Sequence, residues 1–283
     1  MFLQVLYEGL TMGTIYALLA MGIALIWGVM NILSFSQGEF MMVAMYITYF
    51  FFTMFGFDPL VSMPFVIVIM FFFGVIIYKL IIARALKGPI LSQRLVTFAL
   101  GLVLTNGMIL IAGGQTKSIG TKLISGSIDL GIVTLGKEKL VLVVTSIIVT
   151  VLLFWFMDHT KIGKGIRATS QDKEAAELIG INTQTAYTIA FGISAAIAGA
   201  GGCAMTYYYY FTPSIGTNFM IFGFIAVCLG GFGSISGAFI GGMIMGLVDL
   251  FAGTYLSVSF KYLAVSVVFM LIVTFKPKGL FGR

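Results

Sequence analysis

Lipid offers a backbone no water to bond with, so apolar runs near 20 residues can cross a bilayer only as helices. This chain is built largely from such runs: Gly9–Gly28, Phe40–Phe55, Leu60–Ile82, Leu95–Ala112, Leu140–Met157, Gln184–Tyr207 and Phe260–Phe275. A further apolar region, Phe219–Ala252, is cut by LGGFGSISG (Leu229–Gly237), which predicts two short pieces, either a re-entrant hairpin or two short spans. The expectation is an all-α polytopic membrane protein with about 8–9 membrane-embedded helices, some of them interrupted or re-entrant, in a single transmembrane domain over residues 1–283. Composition agrees. Of the 283 residues 60% are hydrophobic and 9% charged, against about 25% charged in soluble domains.

Orientation follows from Lys and Arg, which favour the cytoplasmic side. Most of the basic residues fall in three groups: Lys79, Arg84, Lys87 and Arg94; Lys161, Lys164, Arg167 and Lys173; Lys276, Lys278 and Arg283. Alternating spans put all three groups on one face, leaving Lys117, Lys122, Lys137, Lys139 and Lys261 opposite. The N-terminus is then outside, the C-terminus cytoplasmic, and Gly113–Lys139 the largest external loop. Its segment Ile128–Leu135 has strand character, and Asp58-Pro59 marks a tight external turn. MFLQVLYEGL lacks the basic region and small-residue site of a cleaved signal, so it is expected to be retained. The net charge of +6 is thus accounted for by topology, without nucleic acid as a partner.

The longest polar interval is Asp158–Asn182, DHTKIGKGIRATSQDKEAAELIGIN. Asp172 is placed to cap a helix, Glu174 sits in its first turn, Ala175, Ala176 and Leu178 favour it, and Gly180 supplies a stop. A short helix over Lys173–Ile179 is predicted outside the bilayer. An ordinary solvated loop would explain the charge; an ordered helix there also provides a surface on which a partner can dock.

Two stretches interrupt the apolar spans: Asn31–Glu39, with Ser34, Gln37, Gly38 and Glu39, and Gly230–Ser236, with Gly230, Gly231, Gly233 and Ser234. Broken helices point free N–H and C=O groups at solutes near the bilayer midplane. Ser36–Phe40 faintly echoes Ser214–Phe219. Glu39 and Asp249 are acids in apolar surroundings. Each is either an interfacial residue or, if buried, one that meets a substrate ammonium or holds helices in register. Gly192, Gly199, Gly201 and Gly202, and Gly237, Gly241, Gly242 and Gly246, allow close helix packing. Cys203 and Cys228 are read as buried apolar residues, and lone His159 as a loop-edge contact.

No GxxxxGK[ST], HExxH, CxxC or GxSxG occurs, so ATP binding by a P-loop in this chain is excluded and an enzyme is not expected. Moving a solute is the reading left. An ion-coupled secondary transporter or channel using Glu39 or Asp249 is one form of it, and a membrane scaffold is a competing class.

Glu174-Ala175-Ala176, with Gly180 following, resembles the EAA loop of ABC importer permeases, here without that motif's Leu-Pro ending. The resemblance extends over the chain through GLTMGTIYALLAMGIALIWGVMNILSFSQGEF, GIRATSQDKEAAELIGIN, FGISAAIAGAGG, GGFGSISGAFIGGMIMGLVD and KPKGLFGR. Together these resemble the permease family that includes bacterial high-affinity branched-chain amino acid importers, and most closely the smaller of their two membrane subunits. Here Ser36-Gln37 stands where that family has Ala-His. The resemblance implies a multi-pass protein of the bacterial inner membrane, with cytoplasmic ATP-binding subunits, a second related permease chain and an external solute-binding protein as partners. ATP would be bound by those subunits, with no cofactor in this chain. It also implies that Gly163, Arg167, Asp172, Glu174, Ala175, Ala176 and Gly180 form the coupling loop. Asn31, Ser34, Gln37, Gly38, Glu39, Gly230, Gly231, Gly233, Ser234 and Asp249 are the candidates for the translocation path.

Overall fold

Helix α1 (Phe2–Met30) is apolar all round, and such a helix belongs at the centre of a bundle. Every residue from Thr11 to Ile26 is buried in this computed structural model, which describes residues 2–120, 124, 126–129, 134–276 and 279–282. Lys122, Lys278 and Arg283, counted above for orientation, lie outside the described residues, as do residues 130–133 of the strand-like segment.

The order continues with α2 (Gln37–Phe55) and α3 (Pro59–Ile77). A π-helical turn, Tyr78–Ile82, and a last turn, α4 (Ala83–Ala85), prolong α3. Then come α5 (Ile90–Ala112), β1 (Ser127–Asp129), β2 (Thr134–Gly136), α6 (Lys137–His159), α7 (Lys161–Gln171) and α8 (Lys173–Leu178). The chain closes with α9 (Thr183–Met205), α10 (Ile215–Gly230), α11 (Ile235–Tyr255) and α12 (Val258–Phe275). Among the described residues seven helices are long and apolar enough to cross a membrane, and Ile215–Gly230 and Phe260–Phe275 are shorter apolar helices.

Small residues set the closest crossings. A Cβ on Gly246 would lie 2.2 Å from the Cα of Gly13, and one on Gly242 2.3 Å from the Cα of Ala17. So α1 and α11 pack backbone to backbone, as bundles do where lipid removes the hydrophobic drive between helices. The expected close packing of α9 is also present: Gly192 and Gly199 meet Phe71 and Met70 of α3, and Gly202 meets Met41 of α2.

Several sequence expectations need correction. The first break is shorter than predicted, because Gln37, Gly38 and Glu39 already form the first turn of α2. Helix α1 stops at Asn31, whose φ of 55° is a left-handed conformation that Asn tolerates. Asn31 to Ser36 then runs without helix until the carbonyl of Ser36 accepts from Phe40 N at 3.0 Å. After the second break, α11 is a 21-residue helix and no short piece. The loop from Gly113 ends at Gly136, since Lys137 and Lys139 belong to α6. Within it β1 and β2 pair antiparallel, Ile128 opposite Leu135, and Lys117 bridges to Phe211.

The turn at Asp58 forms as expected: its carboxylate caps α3 by accepting from Leu60 N at 2.9 Å, with Pro59 in the first turn. Tyr207 also donates to Asp58. Cys203 and Cys228 are free and buried. His159 ends α6 and stacks on Trp155.

Candidate functional site

The Asp158–Asn182 interval is ordered throughout. Sequence reasoning expected one helix there; the structure has two. Helix α7 is strongly amphipathic, burying Gly163, Ile166 and Thr169 along one face while Lys161, Lys164 and Arg167 stay exposed. It folds back on α6 so closely that a Cβ at Gly163 would fall 2.2 Å from the carbonyl oxygen of Phe156. The Thr160 hydroxyl caps α7, accepting from Gly163 N at 2.9 Å, and Arg167 pairs with Asp158.

Asp172 ends α7 and caps α8, accepting from Ala175 N at 3.0 Å as its position suggested. Gly180 has φ of 85° and completes a left-handed C-cap. Its N–H bonds the Glu177 carbonyl at 3.0 Å and the Ile181 N–H bonds that of Ala176 at 3.0 Å, so the last carbonyls of α8 are satisfied. The Asn182 side chain then caps α9, accepting from Thr185 N at 3.0 Å. Ala176 alone of α8 is buried; Glu174, Ala175 and Glu177 are exposed. Beyond them Leu178 is 88% and Ile179 75% exposed. A short helix pinned at both ends thus presents an apolar pair to the outside, a shape suited to docking into a groove.

The second group of candidates lies inside the bundle. Gln37 is fully buried and donates its amide N–H to the carbonyl of Ser194, the midpoint of α9, at 2.7 Å. Ser194 in turn donates to the Gly22 carbonyl at 2.8 Å. Helix α2 therefore begins deep in the bundle. Its first turn crosses that of α10 so tightly that a Cβ on Gly38 would lie 2.1 Å from the carbonyl oxygen of Gly216. The two segments that echo each other in sequence are thus in contact. Thr97 of α5 serves the backbone of the break, donating to the Leu33 carbonyl at 3.1 Å and accepting from Phe35 N at 3.3 Å. Ser34 and Ser36 are buried 3.3 Å apart, whereas Asn31 is exposed.

Glu39 and Asp249 are both buried within the protein, at 5% and 1% exposure. Asp249 of α11 is held by two other helices: Tyr16 of α1 donates to it at 2.8 Å, and Lys261 of α12 forms an ion pair at 2.9 Å. The Lys261 ammonium also lies over the Phe222 ring. Glu39 accepts from Thr217 of α10 at 3.2 Å through Oε1, while Oε2 has no hydrogen-bond partner among the described residues.

At the second break α10 ends at Gly230, residues 231–234 turn, and Ser234 caps α11 by accepting from Gly237 N at 3.1 Å. Gly231 and Gly233 have positive φ, and a Cβ on Gly230 would lie 2.2 Å from the Gly237 carbonyl oxygen. The C-terminal segment docks on this break: Leu280 N bonds the Leu229 carbonyl at 2.8 Å and Phe281 N that of Gly230 at 3.1 Å.

Sequence reasoning missed Tyr16, Thr97, Ser194 and Lys261, whose importance comes from which helices adjoin. For Thr217 the echo of Ser36–Phe40 was a signal. Seven helices long and apolar enough to cross a membrane, packed into one bundle, are those of a polytopic all-α membrane protein. Its family is established by sequence: residues 5–275 match the model of the branched-chain amino acid transport system / permease component family, and the chain belongs to it.

Among similar proteins is the high-affinity branched-chain amino acid transport system permease protein BraD of Pseudomonas aeruginosa, 28% identical, with 100% of this chain and 96% of BraD covered. The corresponding LivH of Salmonella typhimurium is 29% identical over the same shares. The autoinducer 2 import system permease protein LsrC of Salmonella choleraesuis is 27% identical over 50% of this chain and 42% of its own. No solved structure matches the chain.

Proposed function

We propose that this chain is the membrane subunit of an ATP-driven importer that admits branched-chain amino acids, the cargo named for the relatives similar over its full length. In this reading residues 1–283 form one permease domain of nine membrane-embedded helices, α10 and α12 included, in a bacterial cytoplasmic membrane. The N-terminus is outside and the C-terminus inside. Support for the orientation comes from the ends of the bundle. Gln4 and Glu8 contact Thr134 and Lys139, and Lys117 bridges to Phe211, at one end. Tyr78 meets Gln184, and the tail meets Leu229, at the other, where most of the basic residues gather.

The observation that carries the reading is the doubly pinned α8 with Leu178 and Ile179 exposed at its tip. Its proposed occupant is a groove on a cytoplasmic ATP-binding subunit. ATP is bound and hydrolysed there, with no cofactor or catalytic residue in this chain, and the closing ATPase pair pulls on Arg167–Gly180. Because α7 packs on α6 and α8 leads directly into α9, that pull reaches two spans at once. A second related permease and an external solute-binding protein complete the assembly.

The test is mild-detergent purification of tagged protein from its native membrane, with mass spectrometry of what accompanies it. Recovery of an ATP-binding subunit, lost when Leu178 and Ile179 become Ser, supports the reading. Recovery of the chain alone, with uptake driven by an ion gradient through Glu39, replaces it by a secondary transporter.

A further inference from the structure

Of the two buried carboxylates, Asp249 has a cation of its own and Glu39 does not. The Asp249 charge is met by Lys261 and Tyr16, a clamp closed within the protein. Glu39 is 5% exposed, with Thr217 on α10 and the backbone of Gly101 on α5 beside its carboxylate. A Cβ on Gly101 would sit 3.4 Å from Oε2, so α5 lies against the carboxylate at a residue that has no side chain. An ionised carboxylate in such surroundings needs a positive partner, and the protein supplies none within hydrogen-bond reach among the described residues.

The cover is light and the outside is near. Helix α5 buries only Thr97, Leu100, Gly101 and Met108 among its 23 residues. Thr217, one hydrogen bond from Glu39, is exposed, and so is Asn218. Two polar residues exposed side by side on an apolar helix suit a wetted path more than hydrocarbon. Small movement between α5 and α10 would bring Glu39 onto that path.

We infer that Glu39 is the residue in the translocation path that receives the ammonium group of the cargo, which makes the permease itself selective for cationic or zwitterionic amines. This rests on the importer reading above. In the resting arrangement Thr217 holds one carboxylate oxygen and α5 screens the other. As the bundle switches, the ammonium replaces water at Oε2, and it leaves when α5 closes again.

The experiment uses the complete transporter in liposomes. Wild-type assembly that takes up no leucine would sink the importer reading, not this inference. Given wild-type uptake, Glu39→Gln keeps shape and loses charge, and uptake is expected to fall about 10- to 100-fold, the worth of a hydrogen bond between charged groups. Stimulation of ATPase activity by the loaded binding protein should persist. Uptake by Glu39→Gln at the wild-type rate overturns the inference.

A second measurement stands if that variant does not fold. Thr217→Cys, with Glu39 intact, is labelled by a small thiol reagent while ligands compete. Protection by leucine and by leucinol, but not by 4-methylpentanoate, which lacks the ammonium, is the expected result. Equal protection by 4-methylpentanoate, or a thiol that no nucleotide state exposes, overturns it.

Discussion

The Asp249 clamp gives a quantitative test of the packing of α1, α11 and α12. Asp249 has 0% side-chain exposure, whereas its partner Lys261 keeps 25%. Breaking a buried pair costs about 3–5 kcal/mol when one charge is stranded, yet replacing both charges can be nearly neutral. The two single variants should therefore differ. Lys261→Met strands the carboxylate with only the Tyr16 hydroxyl, and the middle of that range, about 4 kcal/mol, applies. Asp249→Asn keeps an acceptor for Tyr16 and leaves a lysine whose stem can carry its charge to water, so about 1–3 kcal/mol is expected.

The double variant should regain most of the Lys261→Met loss. A double-mutant cycle of reversible unfolding in mixed micelles measures all four proteins. A coupling energy of about 2 kcal/mol or more is the expected result, since neighbours sharing one network couple by 0.5–3 kcal/mol. Equal single effects that simply add would refute the argument and reduce the pair to a surface contact.

Three further outcomes follow from the same geometry. Asp172→Ala removes the side-chain cap of α8 and should cost about 1 kcal/mol locally, read as faster amide exchange over Lys173–Leu178 with the spans unaffected. Gly180→Val places a branched side chain at φ of 85°; ATP hydrolysis should continue while uptake falls, whereas Gly180→Asn, which tolerates that conformation, should keep uptake close to wild type. Gly246→Val forces a side chain into the Gly13 backbone, where a Cβ alone would lie 2.2 Å away. Folded yield should collapse there, while Gly253→Val on the same helix, where a Cβ would meet nothing within 4 Å, should leave it unchanged.

Spans were legible because an apolar run of bilayer length has one stable form. The cap at Asp172 and the stop at Gly180 were legible because their side-chain and backbone chemistry is local. Helix α7 was hidden: Gly163 and Gly165 argue against a helix on propensity, but packing Gly163 against Phe156 outweighs that weak preference. The start of α2 was set by a partner 157 residues away, Ser194, which takes the Gln37 amide and lets helix begin where a loop was expected. The fate of Asp249 depended in the same way on Lys261, which charge counting had assigned to an external loop. The docking of Leu280 and Phe281 on the end of α10 answers orphan carbonyls that a one-dimensional reading does not see.

The most direct test of the account is leucine export from liposomes holding the purified permease assembly, with the ATP-binding subunits outside-facing and the loaded binding protein enclosed. The account predicts leucine leaving the lumen only when external ATP is supplied, insensitive to a protonophore and abolished by Leu178→Ser with Ile179→Ser. Movement by this chain alone, driven by a proton gradient and lost with Glu39→Gln, would contradict it.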